Sequence, residues 1–514
     1  MFCRTVSLVQ SDLNHICIIS QGKSQAVVTL TLVPFEISFM RRYQTNYFIF
    51  SVLTVFLFGF LAASAHAAPN AFTYVSPSVG TKQLSSNTLA NKLSIDSWKI
   101  KLNTQVRELE VGDSFEMSMP NGDVLSALIK TNKKYKNGDV QLQANFGNDG
   151  HVILTIGRNA TFGSITSSTH NYSLSIDDAN GIVLIDLQTL PASSTDLSHD
   201  MVVPQALNSK SASSFSDVVN FDNLRTQAEL DGETDIDVLF LYSPEFRQLF
   251  TSPETRINQL IAFSNASFQS TDILINMRMA GAVEVAFDND NANSSLLNAV
   301  SQSTGDFADV SQMRDDFGAD LVAVLGASSP NSASGIAFVL NRFNSSSDGF
   351  NSGYSVTRLS TNCCDAVFTH EIGHNLGSGH EGPLVNPNAN ISRCNGGFTG
   401  FSCGHGNTEP EGDTPTWGTI MSNIRAPSFR DPDARAVIGF RFSNLDNTCV
   451  GEPCGIAPDL SGPEQAADNR TSFNMSRILV GGFRDPVEVA PDPDPDPTDD
   501  CSFFVIDSVS VICL

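Results

Sequence analysis

Nine histidines occur in this 514-residue chain, and three of them fall within eleven positions: His370, His374 and His380, in the stretch FTHEIGHNLGSGHEG from Phe368 to Gly382. On a helix, His370 and His374 lie one turn apart on the same face, where two imidazoles can meet one metal ion. Glu371, one position round from His370, can reach a water at that metal without being a ligand. Gly377 can take the left-handed backbone angles that end a helix and turn the chain, which brings His380 back as a third ligand. Three neutral imidazoles plus one water make a tetrahedral zinc site with an open position. Zinc held in this way lowers the pKa of its water from about 15.7 to near 7 and polarises a carbonyl. Glu371 is then placed to take the proton from the attacking water and deliver it to the leaving group. The pattern predicts one catalytic Zn2+ and hydrolysis without a covalent enzyme intermediate. A structural zinc would instead be closed by a fourth protein ligand, commonly cysteine, and would not need Glu371.

Other chemistry-bearing residues carry less. His405, in CGHGN, reads as a loop residue, and the adjacent Cys363 and Cys364 read as disulfide anchors rather than thiol nucleophiles. The sequence has no G-x-S-x-G elbow and no phosphate loop, and it lacks the Asp-x-Asp-x-Asp-Gly pattern that would support Ca2+.

The elements that must position the histidines alternate strand and helix. IDVLFLYS is a buried strand, and Ser252 with Pro253 opens a helix through SPETRINQLIAFSNASFQS. ILINMRMAGAVEV reads as a strand, FADVSQMRDDFG as a short helix, and ADLVAVLGA, GIAFVL and YSVTRLS as further strands before the histidine segment. This order predicts a mixed α/β sheet. Upstream, DVQLQANF, HVILTIGR and NYSLSI alternate apolar and polar residues between Asn-Gly and Asn-Asp-Gly turns, and GIVLIDL adds an apolar run, so a small antiparallel sheet is expected. SHDMVVPQALNSKSASSFSD, residues 198–217, reads as a mobile connector.

Composition marks a boundary between these halves. Residues 68–225 hold 12 basic and 15 acidic residues and no cysteine; from residue 226 onward there are 14 arginines, no lysine and 38 acidic residues. The net charge of −25 argues against nucleic acid and anionic membrane surfaces as partners, and reads as a solvated acidic surface. Met40-Arg41-Arg42, the apolar run from Tyr47 to Ala63 and Ala65-His66-Ala67 have the form of a signal peptide cleaved after Ala67, so secretion without a stable membrane anchor is expected. Eight cysteines follow that point, an even number that predicts four disulfides in an exported chain, with Cys501–Cys513 the local pair. The expected plan is an upstream extension (1–39, with Met40 as an alternative start), a signal peptide (40–67), a β-rich propeptide and connector (68–232), a zinc hydrolase domain (233–485), an acidic Pro-Asp linker (486–500) and a short tail (501–514). The absence of cysteine in 68–225 excludes latency through a propeptide thiolate on the metal.

The full H-E-x-x-H-x-x-G-x-x-H spacing resembles that of the metzincin zinc endopeptidases. GTIMSN, Gly418 to Asn423, looks like their Met-turn, in which the resemblance places Met421 beneath the three histidines. The chain is similar to the bacterial reprolysin-like and peptidyl-Asp metallopeptidase-like group over roughly residues 235–484, through DIDVLFLYS, GIAFV, GFRFSNLD and DNRTSFNMSRILVGGFR. Glu381 follows the third histidine, where reprolysins usually carry Asp, and no tyrosine follows Met421 as it does in astacins. The resemblance implies an α/β (α+β) metzincin-like catalytic domain with a mixed twisted sheet and an active-site helix. It also implies a substrate-binding edge strand at Gly335, Ile336, Ala337 and Phe338, protein or peptide substrates, and a monomeric enzyme made as a zymogen. The rival readings are a catalytically silent binding module, against which the intact Glu371 argues, and a zinc hydrolase of a non-peptide bond.

Overall fold

A computed structural model describes residues 68–75, 96–167, 169–176, 181–189, 201–202, 232–328, 334–340, 353–361, 365–380, 417–422, 437–438, 440–449, 451–457, 466–487, 504–506 and 509–511. The expected signal peptide, the Pro-Asp run, Glu381, His405 and Cys363, Cys364, Cys394, Cys403, Cys501 and Cys513 lie outside these residues. No helix among the described residues is long and apolar enough to cross a membrane.

The N-terminal module is an antiparallel meander of β1 (Phe72–Tyr74), β2 (Ser97–Leu102), β3 (Ser114–Ser118), β4 (Val124–Lys134), β5 (Val140–Phe146), β6 (Gly150–Ile156), β7 (Thr161–Thr166), β8 (Asn171–Ile176) and β9 (Ile182–Asp186). The strand order is β1-β2-β9-β8-β7-β6-β5-β4-β3. The two ends of this order meet: Asn70 bridges Glu116, and the Ala71 N–H donates to the Glu116 carbonyl at 2.7 Å. The sheet therefore closes into a barrel, which removes its free edges. Gly122 and Gly138, in the Asn-Gly turns, take φ of 91° and 85°, as tight hairpins require. Phe115, Met117, Ile129, Leu142, Val152, Leu154, Ile165 and Leu184 fill the interior. In β6 and β7 the outward residues are buried as well, with Ile153 and Phe162 belonging to the core of the second module.

The second module begins with β10 (Met201–Val202) and β11 (Thr234–Tyr242). There follow α1 (Pro244–Leu249), α2 (Pro253–Ser270), β12 (Ile275–Glu284), α3 (Asn293–Ser301), α4 (Val310–Asp316), β13 (Leu321–Ala327), β14 (Gly335–Phe338), β15 (Tyr354–Leu359) and α5 (Asp365–Asn375). Short strands β16 (Trp417–Gly418), β17 (Val437–Ile438), β18 (Thr448–Cys449) and β19 (Glu452–Pro453) precede α6 (Asn469–Val480), β20 (Phe504–Ile506) and β21 (Val509–Val511). The main sheet runs β10-β14-β15-β13-β11-β12-β21-β20. Its centre is parallel and β14 is antiparallel to β15, the mixed sheet that the strand–helix alternation predicts. Central strands such as β13 (LVAVLGA) are apolar on both faces because helices cover both.

Three features depart from the expectations. Helices α1 and α3 carry no strong apolar period and were not expected; α1 starts at Ser243, whose hydroxyl accepts from the Phe246 N–H. The connector is not wholly free, because Met201 and Val202 join the main sheet beside β14; a pairing of two residues leaves no periodic signal. The tail does form a strand pair, β20–β21, and also pairs with β12 through Val283 and Val511. Among the described cysteines, Cys449 and Cys454 form a disulfide.

Candidate metal centre

Helix α5 is buried along almost its whole length. It ends one residue beyond His374, and the chain then turns: Gly377 takes φ of 95° and Ser378 N–H returns to the Gly373 carbonyl at 2.9 Å. A left-handed residue costs glycine little, so the chain can bend at Gly377. It carries His380 back over the helix. The ring centroids of His370, His374 and His380 then lie 4.7, 4.9 and 5.2 Å apart, and one ligand atom from each falls within 4.8 Å of the others.

Backbone carbonyls set the tautomers. His370 Nδ1 donates to the Ile420 carbonyl at 2.7 Å, and His374 Nδ1 donates to the Ser378 carbonyl at 2.7 Å. A carbonyl can only accept, so each Nδ1 carries the proton and each Nε2 presents a lone pair. His370 Nε2 lies 3.2 Å from His380 Nε2. Nitrogens around one tetrahedral zinc would sit about 3.3 Å apart, which this pair matches, and the His374 nitrogen lies within 4.8 Å of both. Ile420 and Ser378 are roles that no side-chain pattern could signal, since only their carbonyls act.

Met421 lies beneath the helix, fully buried, in a turn closed by Ser422 N–H to the Thr419 carbonyl at 2.9 Å. Gly373 makes room for it: a Cβ there would come within 2.2 Å of Met421 Sδ. The two variable positions of H-E-x-x-H are thus unequal, because the second must be glycine for the sulfur to reach the helix.

Glu371 is fully buried and faces Gly335, the first residue of β14. A Cβ on Gly335 would come within 2.0 Å of Glu371 Oε1, so backbone alone fits between the strand and the carboxylate. β14 is tied to α5 at its other end. Asn375 Nδ2 donates to the carbonyls of Phe338 (2.9 Å) and Tyr354 (3.0 Å), and the Leu340 N–H donates to the His374 carbonyl at 3.0 Å. Asn375 stands beside the second histidine in the sequence, but its two carbonyl partners come from strands that only the folded sheet brings there. Gly335, Ile336, Ala337 and Phe338 therefore lie alongside the histidine helix. Their outer edge is not bare: Met201 pairs with Ala337 and Val202 with Phe338, in parallel.

Behind α5 stands α2. Asp365, the first residue of α5, receives Arg256 Nη1 at 2.5 Å and Gln259 Nε2 at 2.8 Å, and Ser264 meets Thr369 at 2.8 Å. These buried pairs fix the start of the histidine helix. They were not visible in the sequence because the partners are about a hundred residues apart.

Residues 254–381 match the family described as metallo-peptidase family M12B, reprolysin-like, and residues 79–189 match a BamI lipocalin-like domain. The first match contains all three histidines and Glu371; the second falls on the barrel. No curated protein matches the chain. Among solved structures, a chaperone–substrate complex shares 14% identity at a TM-score of 0.35, over 73% of this chain and 41% of that one. Metalloproteinase-II from Bacteroides fragilis shares 10% identity at a TM-score of 0.35, over 54% of this chain and 84% of that one. At those scores neither likeness bears on the assignment. The chain thus carries less than half the length of the first of these structures.

Proposed function

From the reprolysin-like metallopeptidase domain that the chain carries, we propose that the protein is the zymogen of a secreted, metzincin-type zinc endopeptidase. The observation that carries this reading is the convergence of three buried imidazoles whose ligand atoms lie within 4.8 Å, with a buried carboxylate beside them and a glycine strand against it. His370, His374 and His380 would hold the ion. When bound, zinc supplies Lewis-acid activation of a water and of the scissile carbonyl.

The remaining work falls to the chain's own groups. Glu371, shielded from solvent, takes the proton of the attacking water and passes it to the leaving amine. The Ile420 and Ser378 carbonyls keep His370 and His374 in the tautomer that points Nε2 inward. The edge of β14 offers backbone donors and acceptors to an extended peptide, a mode of binding that tolerates many side chains. β10 lies on that edge in the precursor, which supports latency by backbone occlusion. Scission between about Lys210 and Glu233 would detach β10 from the catalytic chain and let it leave. The signal-peptide pattern from Met40 to Ala67 supports export.

The direct test is cleavage of a peptide library by the purified, processed protein, with metal content measured alongside. Hydrolysis should stop with a chelator and return with zinc. A processed sample that holds no metal, or that cleaves equally well after chelation, would end the assignment.

A further inference from the structure

The barrel face that meets α2 combines buried hydrogen bonds with apolar packing. Asp139, at the start of β5, is buried and accepts from Thr255 Oγ1 (3.3 Å) and Asn258 Nδ2 (2.9 Å) in the first turns of α2, where a helix N-terminus favours a carboxylate. Gly157 brings the barrel backbone close to this pair: a Cβ there would come within 2.8 Å of both Asp139 Oδ1 and Thr255 Oγ1. Thr155 Oγ1 donates to Gln259 Oε1 at 2.8 Å, and the same Gln259 side chain donates to Asp365 at the start of α5. Apolar contacts surround these bonds. Phe162 packs edge-on to Phe250 at 5.8 Å with the Arg256 guanidinium 5.4 Å from both rings, and His151 stacks on Phe440 at 4.4 Å. Ile153, Ala160, Phe162 and Ile176 of the barrel lie in one continuous core with residues of the second module.

A pro-segment that only blocks would need to touch the cleft. Among the described residues, the part that lies on the cleft edge is β10, whereas the barrel packs on α2 and completes its burial. We propose that the lipocalin-like barrel is a non-covalent subunit of the enzyme, which stays docked on α2 after the connector is cut and holds α5 through Thr155, Gln259 and Asp365. Its binding partner is the surface formed by Thr255, Asn258 and Gln259 of α2 together with the neighbouring rings of Phe250 and Phe440. Removal of the barrel would strip Phe250, which is fully buried, and Phe440 of their cover and leave the polar side chains of α2 without these partners.

The proposal stands on this interface and not on the peptidase reading, so its test needs no activity. A recognition site for a sequence-specific protease is placed within residues 190–200 of the full chain. The cut then leaves β10 with the catalytic part, and retention reports the barrel–α2 face alone. After cutting, the two fragments should co-elute in size-exclusion chromatography at micromolar concentration, and backbone amides of 255–269 should exchange as slowly as in the uncut chain. The Phe162→Glu variant, cut in the same way, should elute as two separate species with faster exchange at 255–269. Separation of the wild-type fragments would overturn the proposal, and co-elution of cut Phe162→Glu would overturn the surface assigned to it.

Discussion

Helices α5 and α2 pack against each other, both are buried on nearly every side, and both carry polar residues where an ordinary core helix would carry leucine. On α5 those residues converge on one point within the chain segment itself, since His370 and His380 are ten positions apart. On α2 they diverge to separate partners more than a hundred positions away, Asp139 and Thr155 in one direction and Asp365 and Thr369 in the other. Burial of polar groups therefore has two causes in one molecule. Convergent, same-type donors mark chemistry, and dispersed, individually paired donors mark an interface. A buried polar group costs free energy unless it is paired, so in either case the arrangement must be complete.

Three changes test this contrast, from the largest expected effect to the smallest. Glu371→Gln keeps the shape of α5 and removes the proton carrier, so kcat should fall by roughly 100- to 10,000-fold. Metal content and thermal stability should stay as in the wild type; a variant that unfolds or loses its metal would place Glu371 with the structural polar groups instead. Asp365→Ala breaks the buried pair where the two helices meet and leaves Arg256 without its carboxylate. Removal of one partner of such a pair costs about 3–5 kcal/mol, measurable by denaturant unfolding. A loss under about 1 kcal/mol would mean that α2 and α5 are not coupled there.

The third change is acidification. Burial, chiefly, and then Arg441 push the pKa of His151 down from 6.5 to about 4, while Asp149 opposes them. His151 is thus neutral when stacked on Phe440, and an undocked His151 binds its proton more readily. Docking stability is complete above about pH 6.5, falls as pH drops through the interval to about 4, and is flat below it; the total loss is on the order of 3 kcal/mol or less. Melting temperatures between pH 7 and pH 4.5 should show this slope in the wild type and a shallower one in His151→Phe. Equal slopes would remove His151 from the interface.

Legibility in the sequence followed the same division. Ser252-Pro253 opened α2 at its observed start, and strands β11, β12, β13, β14 and β15 of the main sheet fell where apolar runs placed them, because propensity and period act over a few neighbours. Nothing near Thr255, Asn258 and Gln259 in the sequence shows that a barrel covers them, because their partners Asp139 and Thr155 lie more than a hundred positions away. The connector showed no strand because β10 owes its existence to the free edge of β14. Gly335 could be placed beside the histidine cluster only by resemblance; its need to be glycine emerged once Glu371 was seen 2.0 Å from where a Cβ would stand.

The amino-acid sequence alone determined which side chains could share a metal, because helical spacing and a glycine bend are short-range geometry that the backbone imposes locally. Tertiary structure alone decided which carbonyls hold those imidazoles, what covers the cleft edge and where the barrel sits. Hydrogen bonds between distant segments have no local signature, and their energy is realised only when the whole chain has brought the partners together.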